Sequence, residues 1–390
     1  MIKHLYTYCL VVFFGFTACN TEEGALPSNN SSFIKIIPGR DLDNPISVDE
    51  LANGDLLIVS NSREAQADGG NLSQIRIIRL TAGGVKLIDK YYPENLNESW
   101  ETVETIFLSD ENIVVMANAP NGKTLLFQTN ANADSLNATY LGAATEDLAY
   151  VGGSFVEDRL VLLTADMNSS RARIDIFSHG GAFLTTVDSF TKTVPAVPTS
   201  NVIESDAQYK FGLNDIVLTT SKNNPTSSEY TELTEKPSKD FTIQFLKTTA
   251  ASGTICFGQV RDETTNNSTL FTNIIDRPSS VQDLGTSNVK HFLSQVKATE
   301  DGGFLLTGGT NDTPGDENNQ FADFLLIKTN ALGEPLPDFI KSFGNPDGRD
   351  ILYDAVQAKD GNIFAVGTTR FGGENTLVLI KLDSQGNLLN

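Results

Sequence analysis

The sequence is short of the residues that carry most covalent and metal chemistry. Its 390 residues include three cysteines, three histidines and one tryptophan. Cys9 lies in an apolar N-terminal stretch, Cys19 closes that stretch, and Cys256 stands alone between Ile255 and Phe257. No disulfide framework can be drawn from that set, and a lone cysteine in an apolar strand reads as a small core residue. His4 sits in the N-terminal stretch, His179 beside Gly180 and Gly181, and His291 at a strand start, which excludes a His-rich metal centre. A Gly-x-Ser-x-Gly elbow is missing, so a Ser-His-Asp scheme lacks its nucleophile, and no cofactor is expected. Basic residues are scarce as well: 28 Lys and Arg stand against 49 Asp and Glu, a net charge of −21. That balance excludes nucleic acid as a partner.

Long apolar runs are also missing. The one candidate, residues 10–16, is too short to span a bilayer, but it follows Lys3 and His4 and ends at Phe16-Thr17-Ala18-Cys19. This arrangement resembles the lipobox of bacterial lipoproteins, with Phe16 where leucine is usual. The resemblance implies a signal peptide over residues 1–18, lipidation of Cys19 as the first mature residue, and attachment to a membrane through the acyl chains. Residues 19–32 are rich in Ser, Asn and Glu and read as a flexible tether. Asn20 and the Glu22-Glu23 pair resemble the signals of lipoproteins sent to the outer membrane and on to the cell surface in Bacteroidetes; the periplasmic face is the alternative.

Residues 33–390 form one repeat domain. Its clearest copies, 291–344 and 350–390, each run strand, Asp-Gly turn, strand, variable loop, strand, Gly-containing turn, strand. The most apolar strand of each unit, the second, recurs at 55–59, 112–116, 159–163, 215–219, 254–258, 303–307 and 362–366. A spacing of about 40 to 60 residues is that of four-stranded meanders stacked radially. The expected fold is therefore all-β, a single β-propeller of seven four-stranded blades. The fourth unit is degenerate, since only Ser221 to Lys239 separates its second strand from the next unit, and it leaves counts of six or eight open.

The ring is expected to close through the N-terminal strand. The last unit stops where its outermost strand should begin, and Phe33-Ile34-Lys35 matches Phe339-Ile340-Lys341, the outer strand of the unit before. A strand lent from the start of the domain to the final blade removes an open sheet edge. The repeats resemble the β-propellers of Bacteroidetes lipoproteins, a group related to WD40-like propellers. Their shared motifs, Asp-Gly-Gly-Phe and Leu-Ile-Lys-Leu-Asp-x-x-Gly-Asn, are turn and packing signals and imply a fold rather than a reaction. The Trp-Asp dipeptide of WD40 repeats and the Asp-box turn of sialidase-like propellers are absent.

In a propeller the loops that lead into the innermost strands converge at one end of the channel. The residues at that offset include Asp43, Asn44, Glu146, Asp147, Ser205, Asp206, Lys239, Asp240 and Lys290. The ligand-binding candidates among them are Trp100, Glu101, His291, Arg349 and Asp350, with Tyr353 just inside. A ring mixing carboxylates, bases and aromatics suits a polar ligand; the plainer reading is that each residue caps its strand. Residues 311–323 and the Asp262-Glu263 pair are acidic, but neither has the alternation of a calcium loop, so no metal site is expected. Asp134-Ser135-Leu136 resembles an O-glycosylation signal of exported Bacteroidetes proteins. The expected role is a surface binding or scaffold module for a protein or a glycan. The alternative is a propeller polysaccharide lyase or glycoside hydrolase acting at the channel mouth.

Overall fold

The computed structural model describes residues 32–388 apart from 41, 66–70, 95–97, 108–111, 119–123, 141–147, 157–158, 167–170, 179–181, 192–202, 206–207, 214–215, 222–227, 233–238, 252, 263–267, 276, 278–280, 285–288, 312–321, 345–347 and 372–373. The leader, Cys19 and nearly all of the tether therefore lie outside the described residues, as do Glu146, Asp147, His179, Asp206, Glu263 and most of the acidic stretch after Asn311.

Strand β1 (Phe33–Ile36) precedes the first sheet, which holds β2 (Leu42–Glu50), β3 (Leu56–Ala65), β4 (Asn71–Leu80) and β5 (Lys86–Tyr92). The second sheet is β6 (Glu101–Phe107), β7 (Ile113–Asn118), β8 (Thr124–Thr129) and β9 (Ser135–Tyr140). The third is β10 (Leu148–Val156), β11 (Arg159–Asp166), β12 (Arg171–Ser178) and β13 (Phe183–Thr191). The fourth is β14 (Ile203–Ser205), β15 (Gln208–Leu213), β16 (Ile216–Ser221) and β17 (Ser228–Glu232). The fifth is β18 (Lys239–Thr249), β19 (Gly253–Asp262), β20 (Ser268–Ile274) and β21 (Gln282–Asp283). The sixth is β22 (Lys290–Ala298), β23 (Phe304–Asn311), β24 (Asp323–Thr329) and β25 (Pro335–Phe343). The last joins β26 (Ile351–Gln357), β27 (Ile363–Phe371) and β28 (Glu374–Leu382) to β1, in the order β1-β28-β27-β26. The strand ladders within the sheets are antiparallel, and the fold is a single all-β propeller in which β2 packs against β26, β27 and β28, bringing the first and last sheets together.

Local chemistry explains these hairpins. In the inner turns Leu51–Asp55, Thr299–Gly303 and Ala358–Asn362, the first amide donates to the fifth carbonyl at 2.8 to 2.9 Å. The fourth residue of each needs a left-handed backbone, and it is Gly54, Gly302 or Gly361, at φ of 83°, 81° and 85°. A basic residue on the third strand reaches the same turn, Arg79 to Asp55 at 2.7 Å and Lys328 to Asp301 at 2.6 Å. At 326–328 this reach ties a Leu-Ile-Lys run to the Asp-Gly step at 301–302.

The core lies between sheets rather than inside any one of them. Leu57, Val59, Ile75 and Ile77 of the first sheet pack on Ile113, Val115, Leu125 and Phe127 of the second. Phe257 and Leu270 of the fifth meet Phe304 and Leu306 of the sixth. Second and third strands are thus covered on both faces, which accounts for their nearly unbroken apolar runs.

The reading of the fourth unit, with its apolar run as the second strand, requires correction. Six sheets follow the pattern as read, with the apolar run on their second strand. In each of those the innermost strand bulges against the second, at Pro45/Ser47, Thr102/Glu104, Tyr150/Gly152, Ile243/Phe245, Leu293/Gln295 and Leu352/Asp354. The sheet at 203–232 is built differently: its first strand has three residues, its ladders run without a bulge, and the 216–219 run lies third instead of second. Spacing is the cause. Between Ser221 and Lys239 there is room for one strand, β17, so this sheet draws two strands from the chain before the apolar run.

Strand β1 pairs with β28 from Phe33↔Lys381 to Ile36↔Val378. The next residue, Ile37, gives its amide to Leu377 O at 2.9 Å and is 2% exposed, packed between Val48, Leu56 and Ile58 of the first sheet and Phe364 and Val366 of the last.

Candidate functional site

The residues just before the innermost strands occupy equivalent places, but those places face neighbouring sheets. Trp100 N donates to Ser73 O at 2.8 Å, and Asp350 N donates to Ala322 O at 2.6 Å, each bond running to the third strand of the preceding sheet or its first flanking residue. An innermost strand has a free edge, and such bonds pair its leading backbone groups. The same need is met further in. Asn61 Nδ2 donates to Thr102 O at 2.9 Å, Gln259 Nε2 to His291 O at 3.1 Å and Thr307 Oγ1 to Tyr353 O at 3.2 Å.

The side chains divide accordingly. Trp100 is 8% exposed and sits between the first two sheets, its ring 5.7 Å from Phe127, with Nε1 donating to Glu98 at 3.2 Å. Its ring is packed between these sheets, where the sequence had suggested a place at a polar opening. His291 is 5% exposed, and among the described residues neither ring nitrogen has a hydrogen-bond partner. Burial holds its pKa down at about 4, so the ring is neutral near pH 7. Asp350 is buried, and Tyr353 is the half-buried bulge residue between Leu352 and Asp354. Glu101 and Arg349 are the exposed members, Glu101 paired with Arg63 on β3. Lys290 and Asn44 are half-buried.

Asp43 is a ring position set in a dense charge network. Its carboxylate meets Arg76 Nη1 at 2.8 Å, and Arg76 is fully buried. The guanidinium also grips Asp89 through Nε and Nη2 at 2.8 and 2.9 Å and donates to Pro38 O at 2.8 Å. Burial raises the Asp43 pKa even though Arg76 opposes it, whereas hydrogen bonds from Arg76 and Lys86 outweigh burial at Asp89 and hold it below the usual carboxylate range. Residue 39 passes so close to this group that any side chain there would overlap Asp43 and Arg76, and glycine is the residue found. The cluster pins the segment that links β1 to β2.

Deeper along the innermost strands the sequence reading missed three charged residues. Lys297 Nζ on β22 lies 2.7 Å from Asp49 Oδ1 on β2 and 2.9 Å from Asp354 Oδ2 on β26, and it donates to Val48 O at 2.6 Å. Asp49 and Lys297 hold the same place in their sheets, opposite Leu57 and Leu305, the second residue of each second strand. Charges of opposite sign at a matched offset were the signal that could have found them. Among the described residues no group of three or more His, Cys, Asp and Glu could hold a metal ion.

No family model matches the chain, and no curated protein does. Among solved structures it is similar to the β-propeller domain of the Trilobed protease from Pyrococcus furiosus, at 9% identity over 90% of this chain and 98% of that one, with a TM-score of 0.51. It is also similar to an oligogalacturonate lyase from Vibrio parahaemolyticus, at 9% identity over 92% of this chain and 98% of the other, with a TM-score of 0.53. At such identities the likeness shows the fold, and the chain is a β-propeller.

Proposed function

We propose that the protein is a lipid-anchored binding or scaffold module, tethered to the outer membrane through Cys19 and presenting one face of its propeller at the cell surface. The observation that carries this reading is the distribution of charge where the innermost strands begin. Trp100, His291 and Asp350 are buried there, while the pairs Arg63–Glu101 and Arg40–Glu64 and the side chain of Arg349 meet solvent. Exposed ion pairs add little to stability but select partners and speed their encounter. A protein partner fits better than a glycan, because the single tryptophan is enclosed and offers no stacking platform. A lyase or hydrolase reading would call on His291 as its base at this face, and that ring is enclosed, with burial holding its pKa at about 4, which makes it a weak proton acceptor.

Chemical cross-linking on intact cells tests the proposal. A partner captured by the wild-type lipoprotein should be lost in Arg349→Glu and Glu101→Lys, with palmitate labelling unchanged. Capture unaffected by both changes, or release of sugar products from oligogalacturonate by the purified protein, would overturn it. Cys19→Ala should abolish the labelling and free the protein from the membrane; labelling that persists would remove the anchor from the proposal.

A further inference from the structure

We propose that Asp49, Lys297 and Asp354 form a proton-operated clasp at the propeller axis, in which one ammonium serves two carboxylates and Asp49 takes up a proton in mildly acidic surroundings. The three residues come from the innermost strands of the first, sixth and last sheets, so the cluster spans the point where the two ends of the chain meet. This tie is separate from β1, which joins the same ring at its outer edge.

The geometry decides which carboxylate takes the proton. Asp354 receives three donors: Lys297 Nζ and Val48 N on Oδ2, each at 2.9 Å, and Ala355 N on Oδ1 at 2.9 Å. Its two oxygens are thus both served by donors from neighbouring elements or the adjoining backbone. Asp49 is held by Lys297 alone among the described residues. With both carboxylates ionised the cluster is one positive charge short in a half-enclosed site, where an unbalanced charge is costly.

Burial raises the Asp49 pKa to about 6, Lys297 pulling it down and Asp354 pushing it up. Burial also works against the Lys297 ammonium, but the two carboxylates outweigh it and hold that pKa above its ordinary value. Strands β3, β6, β27 and β28 also pack on β2, and among the described residues they set no charged group against Asp49. The sign follows. A carboxyl whose pKa is higher in the folded protein than in the unfolded chain gains a proton on folding, so its contribution grows as pH falls through about 6 toward the ordinary value of 3.8. Acid tightens the axis.

Carbon-13 NMR of the mature protein labelled at its aspartate carboxyls reads this directly. One carboxyl should titrate near pH 6, vanish in Asp49→Asn, and move below pH 5 in Asp354→Asn, where Lys297 serves Asp49 alone. Melting temperatures give a second readout: between pH 7.5 and 5.0 the wild type should gain about 2–4 °C relative to Asp49→Asn. The proposal fails if no aspartate titrates above pH 5 in the wild type, if the titration near pH 6 survives Asp49→Asn, or if it is unmoved in Asp354→Asn.

Discussion

Replacing Arg76 by methionine probes how firmly the segment leading from the outer to the innermost strand is held. The change keeps much of the apolar stem and removes the guanidinium, which now makes four hydrogen bonds to Asp43, Asp89 and Pro38 O. Asp43, with a side chain 3% exposed, would be left as an uncompensated buried charge. Breaking a buried pair from one side costs about 3–5 kcal/mol. Burial already raises the Asp43 pKa, and losing Arg76 raises it further, so acid can relieve part of the loss by neutralising the carboxyl. The wild type also loses something in acid. Asp89, held below its ordinary value, contributes stability above the unfolded pKa and gives it up as pH falls. Both effects shrink the gap between wild type and variant as pH drops. Urea denaturation of the protein at pH 7.5 and pH 4.5 measures the gap, and adding Asp43→Asn to Arg76→Met should recover about half of it. A loss under about 1 kcal/mol at pH 7.5, or a gap that widens in acid, would refute the reasoning.

Neighbouring residues of the closing segment should respond in opposite ways: Ile37→Ala removes a residue 2% exposed and should cost about 2–4 kcal/mol, whereas Ile34→Ala, at 54% exposed, should stay within about 0.5 kcal/mol in the same assay. Trp100→Ala should cost about 3–5 kcal/mol by opening a cavity beside Phe127 and leave partner capture intact once the protein is folded; lost capture with unchanged stability would return Trp100 to the binding face. His291, with its pKa depressed to about 4, folds in its neutral form, so its contribution is complete above the ordinary value of 6.5 and falls by about 3 kcal/mol as pH drops to about 4. Proton NMR should therefore find a histidine that does not titrate between pH 5 and 8, and a mid-range titration would contradict its enclosure.

Much of the fold was legible because turn chemistry and apolar runs are local. The Asp-Gly steps at 301–302 and 360–361 supply the left-handed residue their hairpins use, and Phe33-Ile34-Lys35 resembles Phe339-Ile340-Lys341 because both are outer strands. The fourth unit was misread because an apolar run shows that a strand is buried on both faces without saying whether it lies second or third. The candidate site was legible only as an offset. Trp100 and Asp350 do stand at equivalent positions, but an offset along a strand carries no direction, and their backbone amides bond to Ser73 O and Ala322 O of the preceding sheet. Lys297 escaped notice for a related reason: a lysine before an Asp-Gly turn usually marks solvent, and only the ring brings Asp49 and Asp354, about 250 and 60 residues away, into reach.

Strand β1, from residues 33–36, completes the sheet of the final strands and so closes the ring. Hydrogen exchange of residues 33–37 in the intact protein reads this pairing, because the amides of a strand paired on β28 open only with the sheet, while those of an unpaired segment exchange at once. The amides that face β28 should be protected to a degree comparable with Leu377 to Leu382. Complete exchange of 33–37 within seconds, with 377–382 still protected, would contradict it.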